Sequence, residues 1–334
     1  LIVYDSYLNY SSSNYALASK GKNKKSVQHH LAHILSVAAE HQIKKPFMGV
    51  ALDGTGYGLD SNIWGSEFLS VTPPPAYCPL DNQKKQKSRV AGQAGGGVKA
   101  SKAERLAHLA YFKLPGGDAA TTEIWRGALS LVKMNNLDKK FQKKSNDFFK
   151  NINKNNLNSV VKMIDANINS PLTSSMGRLF DAVAFLAGIR DLSDYEAQAA
   201  MELESLCEKM PKSFYEFLFI NEGDKIIIDP EPVIAEIIKS GAKKNRAKII
   251  SEKFHLGVAM MIVKVFEKLR RKNGIADIAL SGGVFQNRII LEWTIALLKK
   301  KNFRVFTNIN LPANDACVSL GQAYAILNKI EFNQ

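Results

Sequence analysis

The chain has 334 residues, 46% of them apolar, which is enough for a substantial core split into two lobes. It contains no uncharged apolar run of about 18 residues, so no membrane span is expected, and the opening LIVYDSYLNY lacks the basic and apolar regions of a signal peptide. Three cysteines, Cys78, Cys207 and Cys317, lack CxxC spacing, which excludes a disulfide framework and a zinc ribbon and fits a reducing, cytoplasmic setting.

The net charge of +14 is partly local. Residues 84–105 set Lys84, Lys85, Lys87, Arg89, Lys99, Lys102 and Arg105 against Glu104, among Gly92 and Gly95–Gly97. Within 73–105 this reads as a flexible basic surface insertion. Most such charge runs are solvated faces, so a nucleic-acid partner is not expected.

In chain order, Leu1–Asp5 is a short apolar run that reads as a buried strand, and Tyr7–Lys20 reads as helix. Ser26–His41 carries Val27, Leu31, Ile34, Leu35 and Ala38 at helical spacing. Phe47–Leu52 is a strand, followed by a glycine-rich turn, Asp53-Gly54-Thr55-Gly56-Tyr57-Gly58, and a returning strand Ile63–Val71. Helices are predicted over Thr122–Met134, Lys140–Asn153, Leu157–Ile168, Gly177–Ala187 and Glu196–Met210. Then come strand Lys225–Ile228, helix Pro232–Lys239, the long helix Ala247–Lys272, strand Ile278–Leu280, helix Gln286–Lys301, strand Arg304–Thr307 and a closing helix Cys317–Lys329. Strands alternating with helices indicate an α/β class with a mostly parallel sheet and an inserted helical layer.

The strongest local signal is His29-His30-Leu31-Ala32-His33, which holds three of the six histidines. On a helix, His29 and His33 share one face and can hold one divalent ion; the alternative is a histidine cluster without metal. His30 lies about 100° round the helix and should pack or fix a ligand's tautomer. Asp53 and Asp315 follow strands, where ligand crevices of α/β sheets form. Each is either a further ligand or an ordinary turn residue, with an N-cap as the alternative for Asp315. Gly54-Thr55-Gly56 suits a phosphate but is a weak pattern. Ser281-Gly282-Gly283-Val284-Phe285-Gln286-Asn287 links a strand to a helix and suits a nucleotide, or simply close strand-to-helix packing. Arg178 and Asp181, three apart at a helix start, face a ligand or form a surface ion pair. Asp118, in Leu114-Pro115-Gly116-Gly117-Asp118, is placed to cap the next helix. No nucleophilic triad or reactive-cysteine motif is present.

These pieces occur in an order that resembles the HypF carbamoyltransferases. The matching stretches are VQHHLAHI (27–34), VALDGTGYG (50–58), IWGSEFL (63–69), LPGGDAA (114–120), SPLTSSMGRLFDAVA (170–184), YEAQAAMELE (195–204), LSGGVFQNR (280–288) and PANDACVSLGQA (312–323). The resemblance implies an α/β fold of the actin, Hsp70 and sugar-kinase type (RNase H-like lobes) with a helical insertion and an incomplete first lobe. Residues 1–45 would be the remainder of that lobe with its metal-binding helix. Residues 46–311 would form the second lobe, with 121–210 as the helical layer, and 312–334 the closing helix.

It also implies a hydrogenase-maturation activity: transfer of a carbamoyl group from carbamoyl-adenylate to the C-terminal cysteine of a HypE-type partner. His29, His33, Asp53 and Asp315 match the family's metal ligands, with iron or zinc as the ion. Gly54, Thr55, Gly56, Gly282, Gly283 and Asn287 fall in its nucleotide-contact loops for ATP or carbamoyl-adenylate, and Arg178 and Asp181 near the ribose. The family's adenylate-forming domains have no counterpart here, so transfer without activation is expected. Ala316-Cys317 replaces a pair of small residues and is expected to crowd the metal. Two other readings are transfer to a hydroxyl of a small molecule and a non-catalytic nucleotide-binding module.

Overall fold

The computed structural model describes residues 1–21, 23–73, 101–241 and 245–333. Phe47–Leu52 is buried on both faces because it forms the middle of the sheet. In chain order the elements begin with β1 (Ile2–Asp5), α1 (Ser11–Ala18), β2 (Lys24–Val27), α2 (His29–Glu40), β3 (Phe47–Tyr57), β4 (Ile63–Thr72), β5 (Lys102–Leu109) and β6 (Phe112–Lys113). The helical layer holds α3 (Ala119–Thr122), α4 (Trp125–Met134), α5 (Leu137–Lys140), α6 (Gln142–Phe148) and α7 (Lys154–Ala166), then β7 (Leu172–Thr173), α8 (Met176–Ala187) and α9 (Gln198–Ser205). Next are β8 (Leu218–Glu222), β9 (Lys225–Asp229), α10 (Glu231–Ser240), α11 (Arg246–Asn273), β10 (Asp277–Ser281), a 3-10 turn over Gly283–Gln286, α12 (Arg288–Lys300) and β11 (Arg304–Thr307). A second 3-10 turn at Asp315–Cys317 leads into α13 (Val318–Leu327) and β12 (Glu331–Asn333).

β1 and β2 form a small parallel pair. The main sheet runs β11-β10-β3-β4-β5-β9-β8. It is mixed rather than mostly parallel. β11, β10 and β3 are parallel, but the β3–β4 hairpin reverses the chain and β5 returns antiparallel to β4. One face carries the large core, with Trp125, Phe180, Phe254 and Phe266 from α4, α8 and α11. The other carries a smaller core in which Leu31, Ile34 and Leu35 of α2 meet Val318 and Ala325 of α13. The metal-helix candidate is therefore packed against the sheet on the side of the closing helix.

Several boundaries differ from expectation. The glycine run after Asp53 is not the turn: β3 continues to Tyr57, and the chain reverses over 58–62, where Gly58 N–H donates to Asn62 O at 2.8 Å. The helix predicted over Lys140–Asn153 is broken at Phe141, whose ψ of 38° leaves the helical region. The helix predicted from Glu196 begins after Ala197, held at φ +60°. The basic stretch is corrected at its end. Residues 102–105 belong to β5, and Arg105 points inward against Glu67 instead of standing in solvent. Its remainder, 74–100, lies outside the described residues. Asp118 makes no side-chain cap to α3.

Candidate metal centre and nucleotide cleft

Helix α2 starts where it does because Gln28 caps it, its Oε1 accepting from Leu31 N–H at 2.8 Å. The helical period then stacks His29 and His33 on one face, both buried. Asp53 is aimed at them by an irregularity in the hairpin. Leu52 pairs with Ser66 and Gly56 with Trp64, so Asp53, Gly54 and Thr55 together face Gly65. Its Oδ1 accepts from Gly54 N–H at 2.8 Å and Gly283 N–H at 3.3 Å, which leaves Oδ2 for the histidines. Asp315 is free to join because Asn314 takes the capping role, accepting from Ala316 N–H at 3.1 Å.

The geometry is close. His29 Nε2 and His33 Nε2 lie 3.2 Å apart, and they stand 3.2 and 3.3 Å from Asp53 Oδ2. Asp315 Oδ1 is 3.6 and 3.4 Å from the same two nitrogens. An ion with ligands at about 2.0–2.2 Å in a tetrahedral set separates them by about 3.3–3.6 Å. The side chains present therefore fit a divalent ion. Asp315, at 69% side-chain exposure, is the member open to solvent.

The cluster also polarises its own members. Burial alone would lower His33, but hydrogen bonding with Asp315 and Asp53 outweighs it and pushes it up to about 10. His29 is raised for the same reason, with Asp5 as a further partner. Burial would raise Asp53, but the two histidines hold it well below the usual carboxylate range. In the absence of an ion, protons on the imidazoles balance the carboxylates.

His30 takes no part in the cluster. The Gln28 amide donates to His30 Nδ1 at 3.1 Å, and burial, reinforced by His29, pushes His30 down to about 3, so it is neutral. Gly56 explains how two imidazoles fit behind the strand: a Cβ there would lie 2.5 Å from His30 Cε1 and 2.7 Å from His29 Cδ2. Gly282 is likewise fixed by geometry, with φ +101° and Leu52 O only 2.3 Å from where a Cβ would stand.

Asp53 and Asp315 also line a cleft of about 680 Å3. Gly54, Thr55, Arg178, Asp181, Gly283 and Asn287 line it too, whereas Gly56 and Gly282 pack behind it. The first turn of α8, capped by Ser175, and the 3-10 turn at Gly283 both open toward it. Arg178 and Asp181 form an ion pair at 3.1 Å that is buried, not a surface pair. The two groups are near but misaligned: Asp181 Oδ2 and Arg178 Nε have no hydrogen-bond partner among the described residues. Burial raises the Asp181 carboxyl against the pull of Arg178. Asn287 is largely turned inward. Its Oδ1 accepts from Ile290 N–H at 2.9 Å, and its Nδ2 donates to His255 Nε2 at 3.0 Å.

Sequence reasoning missed two partners of the histidines. Asp5 accepts from His29 Nδ1 at 2.8 Å. It carried the same signal as Asp53 and Asp315, a carboxylate at the end of a strand. Cys317 does not crowd the centre: its Sγ sits 3.4 Å from His33 Nδ1, on the far side of the ring from Nε2. The cleft's outer wall, with Glu196, Met201 and Glu204, was also unforeseen.

Comparison with known proteins places this geometry. The family model described as the Kae1-like domain of a carbamoyltransferase, second subdomain, matches residues 49–75 and 97–322, and the HypF Kae1-like domain model matches 1–40. The carbamoyltransferase HypF of Synechocystis sp. is 32% identical over 100% of this chain and 40% of its own length. A probable carbamoyltransferase HypF of Methanocaldococcus jannaschii is 28% identical over 91% and 35%. The crystal structure of a full-length HypF in a phosphate- and nucleotide-bound form superposes with a TM-score of 0.81 at 38% identity, covering 98% of this chain and 38% of that one. The HypF of T. kodakarensis gives a TM-score of 0.76 at 27% identity over 99% and 41%. The chain thus spans about 40% of the length of the Synechocystis relative. Among the described residues no helix is long and apolar enough to cross a membrane. With both Kae1-like models together matching most of its residues, the chain belongs to the HypF carbamoyltransferase family.

Proposed function

We propose that this chain is the transfer module of a HypF-type carbamoyltransferase. It binds carbamoyl-adenylate in the cleft between Asp53–Thr55 and Gly283–Asn287 and passes the carbamoyl group to the C-terminal cysteine of a HypE-type partner, in the cytoplasm. The observation that carries this reading is that Asp53 and Asp315 belong both to the four-donor cluster and to the cleft wall. A ligand phosphate in the cleft and an ion in the cluster would be neighbours. That a full-length HypF has been solved in a phosphate- and nucleotide-bound form supports a nucleotide as the class of ligand.

His29, His33, Asp53 and Asp315 would hold the ion, iron or zinc, which when bound supplies Lewis-acid polarisation of the carbamoyl carbonyl and charge for the phosphate. Gly54 and Gly283, which carry no side chain, and the first turn of α8 would let the adenylate's phosphate approach the backbone closely. The Arg178–Asp181 pair, with unused hydrogen-bonding capacity, would take the ribose side. The acceptor thiolate attacks the carbamoyl carbon, a C–S bond forms, the C–O bond to the phosphate breaks, and AMP leaves with the electron pair. We further propose that 1–45 carries the metal helix as part of a first lobe, that 46–311 is the second lobe and that 312–334 closes it. Activation of carbamoyl phosphate with ATP belongs to other domains of the family.

The test supplies the chain, loaded with zinc or iron, with carbamoyl-adenylate and a HypE-type acceptor. S-carbamoylation of the acceptor cysteine should appear, and should be absent when only carbamoyl phosphate and ATP are given. No product under full supply, from a chain that still binds nucleotide, would reduce the molecule to a binding module.

A further inference from the structure

We propose that Asp5 is a positioning residue for the metal ligand His29: it fixes the proton on Nδ1 and so presents Nε2 to the ion. The inference rests on the reading of the four-donor cluster as a metal centre. A histidine that binds metal through Nε2 must carry its proton on Nδ1, and an acceptor at Nδ1 sets both the tautomer and the ring angle. Asp5 Oδ2 stands 2.8 Å from His29 Nδ1, with both side chains at most 5% exposed.

The carboxylate is itself held in place. Its Oδ1 accepts from Tyr7 N–H at 2.9 Å, and Ser13 Oγ donates to the Asp5 carbonyl at 3.0 Å. Asp5 pairs with Val27 in the β1–β2 ladder, two residues before His29. Ser6 N–H continues that ladder by donating to Val27 O at 3.1 Å. This two-stranded sheet therefore has a chemical consequence: it fixes Asp5 against the first turn of α2.

The arrangement is lopsided. Among the described residues, the Nδ1 of His33, the other imidazole, is partnered only by the Cys317 thiol, at 3.4 Å, and sulfur is a weak acceptor. Asp5 should therefore matter more than Cys317. Two donors, Tyr7 N–H and His29 Nδ1–H, face two carboxylate oxygens. An asparagine offers one acceptor, so Asp5→Asn must give up one of the two bonds, whereas Asp5→Ala gives up both.

The experiment titrates the full metal-free chain and its variants with zinc(II) alone. Asp5→Asn should weaken zinc affinity by about 10-fold and Asp5→Ala by about 100-fold, the range found when a ligand's hydrogen-bond partner is removed; Cys317→Ala should cost less than either. In the zinc-loaded protein the His29 Nδ1–H proton should be protected from solvent exchange by NMR, and that protection should vanish in Asp5→Ala. A merely structural role would not move this proton signal while the circular dichroism spectrum stays native. Affinity within about twofold of wild type in folded Asp5→Ala, against the range above, overturns the inference; so does a protected Nδ1–H that survives the substitution. Failure of the wild-type chain to take up zinc or iron(II) would remove the metal centre, and this inference with it.

Discussion

Two clusters of buried charge sit on the β3–β4 hairpin, and they are built to opposite rules. In one, Glu67 is wholly buried and every contact it makes is answered. Its Oε1 accepts from Gly65 N–H at 3.1 Å, Ser66 N–H at 3.2 Å and Ser174 Oγ at 2.6 Å, and its Oε2 accepts from Arg105 Nε at 2.5 Å. The guanidinium lies 3.7 Å over the Trp64 ring and donates to Tyr111 Oη at 2.9 Å. Burial would raise Glu67, but Arg105 holds it down to about 2. The other cluster brings two imidazole nitrogens and two carboxylates to a common point and opens on one side, through Asp315. In the first cluster both carboxylate oxygens of Glu67 are answered by neighbouring donors, and Arg105 Nη2 is left without a hydrogen-bond partner among the described residues. Acceptors and lone pairs aimed at one point leave the second able to take a cation. Buried charge alone is therefore not a sign of function; what separates the two is whether opposite charges face each other, as Arg105 faces Glu67, or several ligand atoms face one common point.

The largest expected effect tests the open cluster. His33→Ala removes an ion ligand and should lower zinc affinity by more than the roughly 100-fold that loss of a ligand's hydrogen-bond partner costs. Carbamoyl transfer should vanish with it, while the metal-free fold survives. Isothermal titration and an acceptor assay read the two losses; unchanged metal affinity would put the ion elsewhere.

The closed cluster should behave in reverse. Glu67→Ala strands the Arg105 guanidinium in the interior, and removing one partner of a buried pair costs about 3–5 kcal/mol. Urea unfolding should show that loss, and zinc affinity of the folded fraction should stay near wild type. A small stability change with a large metal defect would mean that Glu67 serves the ion, and the contrast between the clusters would collapse.

pH separates them further. Because His29 and His33 are raised in the metal-free chain, zinc must displace their protons, so affinity should climb about tenfold per pH unit for each proton released. The rise should flatten only as pH approaches the His33 value of about 10. Stability of the metal-free chain follows the opposite sign. The raised histidines contribute fully below their ordinary value of 6.5, and the contribution fades as pH rises through the folded value. The lowered Asp53 contributes above its ordinary 3.8 and loses that contribution as pH falls through its folded value. The metal-free centre is therefore most stabilising between about pH 4 and 6.5. The gain in melting temperature on adding zinc should grow from pH 6 to pH 8. A gain independent of pH would show that the imidazoles are not the ligands.

Much of the centre was legible in the sequence because helical spacing alone pairs His29 with His33, and because Asp53 and Asp315 follow apolar strand runs. The closed cluster was not. Arg105 lies among Lys102 and Glu104 and reads as surface charge until Glu67, on the neighbouring strand, is seen beneath it. β5 was missed for the same reason: KAERLAHL alternates, but its inward positions include that arginine. The direction of the sheet was misjudged because β4 runs antiparallel to both β3 and β5, and the start of β5 at Lys102 follows directly on a basic, glycine-rich stretch that conceals it. Asp5 needed the β1–β2 register, which no local pattern states.

The smallest effect concerns a residue that family resemblance assigns to the nucleotide and the geometry ties to the fold. Asn287 lines the cleft, yet its Oδ1 caps α12 and its Nδ2 serves His255. Burial pushes His255 down to about 4, so it is neutral, and its Nδ1 donates to Ser251 O at 2.8 Å. Its Nε2 is then an acceptor that needs the Asn287 amide. Asn287→Ala should cost about 1 kcal/mol as a lost cap and about 1 kcal/mol more for the unanswered imidazole nitrogen. Asn287→Asp keeps the cap acceptor but not the donor, so it should lose only the second part. If the fold is what Asn287 serves, Asn287→Ala and His255→Ala will be non-additive in stability, because they share one hydrogen bond. Nucleotide affinity will then follow the fraction folded. If nucleotide affinity falls by more than about tenfold, 1.4 kcal/mol, in fully folded Asn287→Ala, the second amide hydrogen reaches the ligand, and the residue belongs to the open side of the molecule after all.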